Sequence, residues 1–379
     1  MTIEVALIRQ EQTGGDGGAQ AIIDLMLQAL RQRQDIKLSL LCRQWDSAAG
    51  SEGKVIIDPP FRGRRDKQRS FNQAVKDYLG NHSFDIIQSH ERLNGCHIFR
   101  AGDGVHKVWL QQRAKTANLL QRWWQSKSSY HRDLLAEEKL MFESDSLQKV
   151  ICNSNMVREE VARNFAIDKH KLAVIYNAVD SQSYKPAEGQ VKAELRQAVD
   201  IPESALVFIF AGSGFERKNL GATLRAFSQL PENCYLVVVG RDKKHRAYHR
   251  LANQLNCGNR VRFLGAQEKS KMPTLYQLAD VLVLPTIYDP FPNVILEALA
   301  TGLPCITTAN CGAVDVIPGA NCGVIVEVAD DQGLADAMAG YQDAERLNVE
   351  SGRARELALT FTQQRMQTSL LSLYREILN

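Results

Sequence analysis

Two acids stand eight positions apart in the stretch YDPFPNVILEALATGLPCITT (288–308): Asp289 in a proline-bearing loop, and Glu297 inside an apolar run. Pro290 and Pro292 keep Asp289 out of a helix, while Pro292 itself suits a first helical position. The pattern predicts a helix from about Pro292 to Thr301, closed by Gly302 and stopped at Pro304. Its opening amides, at Asn293, Val294 and Ile295, would face an anion with the helix dipole behind them. Glu297, one turn further in, sits among Ile295, Leu296, Ala298 and Leu299, where a carboxylate without donors is costly. A buried arginine could supply those donors; so could the hydroxyls of a bound sugar.

A second set lies in FAGSGFERKNLGATLRAF (210–227). A strand ends in a Gly-Ser-Gly turn, and Arg217 and Lys218 then precede a helix. Adjacent cations at a strand's carboxyl end suit a diphosphate, although an isolated Arg-Lys pair is also an ordinary surface feature. The third set is TGGDGGAQ (13–20), whose glycines, Gly17 and Gly18 among them, let backbone approach a phosphate. It departs from GxGxxG, because Gln20 stands where the last glycine would be. A flexible loop is the plain alternative.

The elements that must position these residues read as α/β. In the C-terminal half the apolar runs LVFIFAG (206–212), CYLVVVG (234–240), RVRFLG (260–265), DVLVLPT (280–286), PCITT (304–308) and CGVIVEV (322–328) alternate with helix-like stretches. Continuous apolar strands between amphipathic helices indicate a parallel sheet covered on both faces. The N-terminal half repeats the theme with IEVALI (3–8), KLSLLC (37–42), DIIQSH (85–90), HIFRAG (97–102), KVICNS (149–154) and LAVIYNA (172–178). The stretch DSQSYKPAEGQ (180–190) reads as a linker. The expected division is a Rossmann-like domain over 1–178, a second over 179–355, and a terminal helix, 356–379, packing back on the first. Doubly wound domains facing across a cleft would place the strands' carboxyl ends, and the ligand, in that cleft.

With 379 residues, 44% hydrophobic and 23% charged, the chain suits two globular domains. Ile3–Ile8 reads as a buried strand rather than a signal sequence, and no run approaches the ~18 apolar residues that span a bilayer. Eight cysteines without a CxxC pair suit reduced thiols in a cytoplasmic protein and argue against structural zinc. The net charge of +3 hides an asymmetry, since residues 61–132 hold fourteen Lys/Arg against five Asp/Glu. Within that block, 107–132 has no acid and carries Trp109, Trp123, Trp124 and Tyr130, which suits an anionic membrane surface better than nucleic acid. FRGRRDKQRSF (61–71) reads either as a loop meeting phosphates or as an ordinary solvated loop.

Taken together, the three sets resemble the retaining glycosyltransferases of family 4, which have the two-domain GT-B architecture and use nucleotide-sugar donors. The likeness runs over nearly the full length and includes VICNSNMVREEVARNF, VIYNAVD and the NCG turns around Cys311 and Cys322. It is nearest to the lipopolysaccharide core glucosyltransferases that add a hexose to inner-core heptose. By that resemblance Glu297 holds the donor's ribose, Asp289 contacts the transferred sugar, and Arg217 and Lys218 grip the diphosphate. Gly18 meets a phosphate through its N–H, and backbone near Arg262 and Phe263 reads the base. Asp103, in RAGDGVH, falls near the family's acid or histidine at the reacting carbon, with His106 a nearby alternative. Two departures stand out: the first acid is usually Glu, and the Gly of the NGVD signature is Ala178 here.

The resemblance implies a UDP-sugar donor, with glucose the expected sugar, and a lipid-linked phosphorylated oligosaccharide as acceptor. It also implies retention of configuration without metal or cofactor, while the basic stretches 61–71 and 107–132 suggest no nucleic-acid partner and a peripheral place on the inner face of the bacterial inner membrane. Two other classes fit some residues. A sugar-nucleotide epimerase on the same architecture would have no use for the basic face. A non-catalytic membrane adaptor would need neither the acids nor the cations.

Overall fold

The computed structural model describes residues 2–12, 17–46, 53–116, 123 and 127–378, with the side chains of 12, 17–21 and 116 left aside. The beginning of the glycine-rich stretch (13–16) and most of 117–126, including Trp124, therefore lie outside the described residues. The chain forms two compact units, Met1–Asn177 joined by the segment from Gln364 onward, and Ala178–Gln363.

In the first unit, strands β1 (Ile3–Ile8), β3 (Ile36–Cys42), β5 (Lys54–Ile56), β6 (Ile86–Ser89), β7 (Ile98–Ala101), β8 (Lys149–Cys152) and β9 (Leu172–Val174) make one sheet. Its order is β5-β3-β1-β6-β7-β8-β9, and every neighbouring pair is parallel. A separate two-residue ladder joins β2 (Glu11–Gln12) to β4 (Gln44–Trp45). Neither β5 nor this ladder is legible in the apolar pattern, because both are too short to show a period. One face of the sheet is covered by the helix Gly63–Gly80, whose Phe71 and Val75 are fully buried against Ala6, Ile8 and Leu41.

That helix corrects one expectation. The stretch 61–71 is not a loop; from Gly63 on it is the start of this helix, and several of its cations already have partners. Arg65 pairs with Asp133 at 2.6 Å, Lys67 with Glu11 at 2.5 Å, and Arg64 lies 4.4 Å from the centre of the Tyr130 ring.

The second unit holds β10 (Leu206–Ala211), β11 (Cys234–Val239), β12 (Val261–Gly265), β13 (Val281–Leu284), β14 (Cys305–Thr308) and β15 (Gly323–Val326), in the order β12-β11-β10-β13-β14-β15. Again every pair is parallel. All six residues of β10 are buried, as a central strand covered on both faces requires. The supposed linker is built into this unit. Tyr184 is 5% exposed, and Arg355 donates to the carbonyls of Ser181 (3.0 Å) and Tyr184 (2.8 Å). The last helix, Gln363–Leu378, returns to the first unit, where the Tyr374 hydroxyl donates to Gln88 Oε1 at 2.8 Å.

Candidate active site

Strand order fixes where a ligand can bind. In the second unit the chain winds from β10 outward through β11 to β12, then restarts on the other side of β10 with β13 and continues to β15. The order reverses between β10 and β13, and the crevice outside the carboxyl ends of such a pair is where open α/β sheets bind ligands. The connection after β10 carries Arg217 and Lys218 on the short helix Phe215–Lys218; the loop after β13 carries Asp289. The two connections are stitched by backbone: the amide of Ile287 donates to the carbonyl of Arg217 at 2.9 Å, and the Thr286 hydroxyl to the same oxygen at 3.2 Å.

All three side chains meet on one atom. Asp289 Oδ2 accepts from Arg217 Nη1 at 2.6 Å and from Lys218 Nζ at 2.7 Å. Asp289 is 6% and Lys218 5% exposed, while the Arg217 side chain is more open. Burial pushes the Asp289 carboxyl upward, but Lys218 and Arg217 outweigh it and hold the group below the usual carboxylate range. Lys218 is lowered too, because burial outweighs an Asp289 that is shared with Arg217. One carboxylate divided between two cations leaves one positive charge over, which suits an anion larger than the acid itself. Asp289 is also fixed through its backbone, which donates to the Asn310 carbonyl at 3.1 Å and accepts from the Gly312 amide at 2.9 Å. The first NCG turn is thus a clamp for this acid.

Glu297 lies on the helix Asn293–Ala300; Pro292, expected at the first helical position, is extended and sits one residue outside as the N-cap. Its partners are phenols. The Tyr276 hydroxyl donates to Glu297 Oε2 at 2.9 Å, and no arginine pairs with Glu297 among the described residues. Tyr184 stands beside Tyr276, ring centres 6.0 Å apart, with its buried hydroxyl facing Glu297 but lacking a hydrogen bond of standard geometry. Burial raises the Glu297 carboxyl, and the two phenols and Lys269 only partly offset that. Neither tyrosine carries a sequence signal by spacing. Tyr184, a lone aromatic in a polar stretch, was the visible hint.

The remaining candidates divide. At the helix start Ile295 donates back to the Pro292 carbonyl at 3.0 Å, so its amide is not open to a ligand as expected, whereas Val294 makes no such bond. Asn293 lies beside them at the first helical position. Gly17 and Gly18 belong to the first turn of the helix Gly17–Arg31 rather than to a loop, so any anion there meets helix-opening amides. The Arg262 side chain is occupied, donating to the carbonyls of Val199 (2.8 Å), Asn259 (2.7 Å) and Asp200 (2.6 Å). Phe263 stacks on His249 at 3.9 Å. Both sit on β12, the edge strand of the sheet.

Asp103 and His106 belong to the first unit. Asp103 is exposed in the turn after β7. His106 opens the helix His106–Thr116, is 7% exposed, and lies 3.1 Å from His131 through ring nitrogens. Burial, then Arg92, His131 and Arg64, push its pKa down to about 3, so it stays neutral. The acids of ADDQ (329–332) have structural work: Asp330 caps the helix Asp331–Ala339, and Asp331 pairs with Arg225 at 2.5 Å.

Two parallel-sheet Rossmann-like units, one with two cations and a shared acid at its switch point, give the two-domain α/β architecture of GT-B transferases, and comparison with known proteins agrees. The model described as "Glycosyl transferases group 1" matches residues 191–352, and the model described as "Glycosyltransferase Family 4" matches 16–183. Between them the two segments take in most of the chain, which belongs to the family 4 glycosyltransferases of GT-B fold.

Among its relatives is the lipopolysaccharide glucosyltransferase WaaG of Escherichia coli K12, 26% identical over 278 residues, 72% of each chain. A D-inositol 3-phosphate glycosyltransferase of Corynebacterium efficiens is 23% identical over 97% of this chain and 92% of its own. The crystal structure of WaaG superposes with a TM-score of 0.82 at 21% identity, covering 97% of this chain and 99% of its own. Anabaena HepE, solved with UDP-glucose, superposes with a TM-score of 0.75 at 17% identity, covering 98% and 99%.

Proposed function

We propose that this chain is a retaining, metal-independent glycosyltransferase that moves a hexose, glucose in the best reading, from a UDP-sugar to a lipid-linked saccharide in the heptose region of lipopolysaccharide core. The observation that carries the donor half is the pairing of one carboxylate with two cations at the β10/β13 switch point, beside an acid hydrogen-bonded by the Tyr276 phenol. The diphosphate would take Arg217 and Lys218, with Val294 and Asn293 at the helix start; Glu297 would accept the ribose hydroxyls; Asp289 would face the sugar. Base contacts would come from the backbone of β12 near Arg262 and Phe263. The name of WaaG supports the glucose and acceptor readings, and the UDP-glucose bound to HepE supports the donor.

In the reaction, the acceptor oxygen bonds to the anomeric carbon on the face that the diphosphate leaves. The bond from that carbon to the phosphate oxygen breaks, and the acceptor's proton passes to the departing oxygen. Negative charge grows on the diphosphate, where Arg217 and Lys218 stabilise it without reorganising. Asp103 has the role of orienting the acceptor or supporting positive charge at the anomeric carbon, and His106, neutral and buried, is its alternative. The basic segment 107–132 is read as a contact with an anionic membrane, with the enzyme peripheral on its inner face.

The test is a thermal-shift panel of UDP-, GDP- and ADP-sugars, followed by transfer onto heptose-terminated core lipid with and without a chelator. Stabilisation by UDP-glucose and chelator-resistant transfer are expected. A response to GDP- or ADP-sugars alone overturns the donor assignment. Transfer to inositol phosphate but not to core lipid moves the acceptor to the other group of relatives.

A further inference from the structure

Among the described residues of the first unit, one buried cation has no counter-ion. Arg100, on β7, is 5% exposed, and its hydrogen bond runs from Nη2 to Asn177 Oδ1 at 2.6 Å. Asp103 is the carboxylate that acts on it, but Asp103 is exposed and forms no ion pair with it. Among the other buried arginines, Arg196 pairs with Asp280 and donates to three backbone carbonyls, Arg43 pairs with Asp58, and Arg260, also without an ion pair, donates to two backbone carbonyls. The remaining nitrogens of Arg100 are not sealed in the core either: Arg43 Nε and Arg260 Nε are buried without partners, and no atom of Arg100 is.

An unmet acceptor accompanies these spare donors. Asn153 is 2% exposed, its Nδ2 donates to the Gly102 carbonyl at 3.2 Å, and its Oδ1 is buried with no partner. Register brings the two residues together. Arg100 pairs with Ile151 and Ala101 with Cys152, so Asn153 follows on the face of the sheet that bears Arg100. Ser89 pairs with Phe99, which sets His90 beside Arg100 on that face. His90 is half-buried near Arg100 and Arg9, and desolvation followed by those two charges keeps it neutral, so it adds no competing cation. All of this lies at the carboxyl ends of β6, β7 and β8, where an open parallel sheet binds ligands.

A guanidinium in a nearly dry place is retained at a cost unless something neutralises it. A ligand that supplies an anionic oxygen to Arg100 and a hydroxyl to Asn153 Oδ1 meets both needs together. We propose that Arg100 and Asn153 form a subsite for an anionic saccharide, with a carboxylate or phosphoryl oxygen on Arg100 and a neighbouring sugar hydroxyl on Asn153. The consequence for catalysis, that the acceptor presents an anionic group close to Asp103, rests on the glycosyltransferase reading; the binding itself does not.

The experiment titrates the full-length protein with glucuronate, glucose 6-phosphate and glucose, read by saturation-transfer NMR, and with UDP as a separate channel. Wild type should bind at least one charged sugar about tenfold more tightly than glucose, as a charged hydrogen bond demands. Response to glucuronate alone assigns a sugar acid; response to glucose 6-phosphate alone assigns a sugar phosphate. Arg100→Gln should erase the preference, leave UDP affinity unchanged, and melt no lower than wild type, because an uncompensated charge has gone. Asn153→Ala should weaken charged and neutral sugars alike.

Equal binding of charged and neutral sugars by wild type, or an undiminished preference in Arg100→Gln, overturns the proposal. If Arg100→Gln does not fold, Arg100→Met decides: it removes the charge while keeping an unbranched stem, and an unchanged preference there is equally fatal. Loss of UDP binding with the anionic subsite intact would instead sink the donor reading alone.

Discussion

One loop and the helix after it hold two carboxylates in opposite ways, Asp289 by cations and Glu297 by phenols. The difference predicts different responses to pH. Asp289 titrates below its ordinary 3.8 in the folded chain, so its contribution to stability is present above that value and fades only as pH falls through the lowered one. Asp289→Asn should strand Arg217 and Lys218 together and cost about 3–5 kcal/mol. UDP should restore part of that loss by supplying the missing negative charge, so the variant's ligand-induced rise in Tm should exceed that of wild type. Equal rises would mean that the diphosphate does not meet these cations.

Glu297 runs the other way. Its folded pKa is raised, so its ionisation opposes folding as pH climbs from the ordinary 4.5 through the raised value. A protonated Glu297 has also lost acceptor capacity for a ribose. UDP affinity should therefore fall as pH drops into that window. Tyr276→Phe, which removes a donor to the carboxylate, should start the fall at higher pH and weaken binding by about 1.5–3 kcal/mol. Calorimetric titration of UDP between pH 4.5 and 8 measures both, and a pH-independent Kd in both proteins would remove Glu297 from the site. That an acid at 297 needed donors was legible from its apolar neighbours; that the donor is Tyr276, with Tyr184 beside it, was not. They lie far off in sequence and reach Glu297 only through the fold.

At the scale of elements, legibility followed burial. Strands such as β10 and β13, covered on both faces, announce themselves as apolar runs, and the capping signals around Pro292 and Gly302 place the helix after Asp289. Elements with one wet face were misread. The helix Gly63–Gly80 begins with cations because its first turns face solvent, and residues 180–190 are polar because Arg355 holds them by backbone rather than by apolar contact.

The turn that delivers Arg217 and Lys218 depends on a similar backbone feature. Gly240 ends β11 at φ +138°, and a Cβ there would lie 2.2 Å from the Gly212 carbonyl. Gly240→Ala must push the Gly-Ser-Gly turn away, at about 1–3 kcal/mol of strain. UDP affinity should fall with it, although residue 240 carries no charge. Gly80→Ala, with open space around its Cβ position, is the matched control and should change neither Tm nor Kd.

At the scale of the whole chain the same winding occurs twice, once with its order reversing between β1 and β6 and once between β10 and β13. The second switch point bears the matched cations and acids, and the first bears the glycine-opened helix and, a few strands over, Arg100. Charge is divided as unevenly as the sequence suggested, yet the structure tempers its meaning. Arg65, Lys67, Lys76 and Arg92, all inside the basic block, pair with Asp133, Glu11, Glu137 and Glu138, which lie outside it in sequence and so escaped the count.

What the first unit still offers an anionic surface is a smaller set: Arg62, Arg69, Lys107 and Lys115 are exposed, and Trp123 is 53% exposed. No helix among the described residues is long and apolar enough to cross a membrane. If these residues supply the contact, binding is electrostatic with an aromatic anchor, and salt must weaken it as the Debye length shrinks from about 10 Å at 0.1 M. Flotation with vesicles rich in phosphatidylglycerol should recover the protein at low salt and release it by 0.5 M, whereas phosphatidylcholine vesicles should not recover it. Arg62→Gln, Arg69→Gln and Lys107→Gln should each lower partition about fivefold, the effect of roughly 1 kcal/mol per cation near an anionic leaflet. Trp123→Ala should lower what remains at high salt. Equal recovery on neutral and anionic vesicles would show that the basic block has another partner, and the saccharide subsite at Arg100 would then be the first place to look for it.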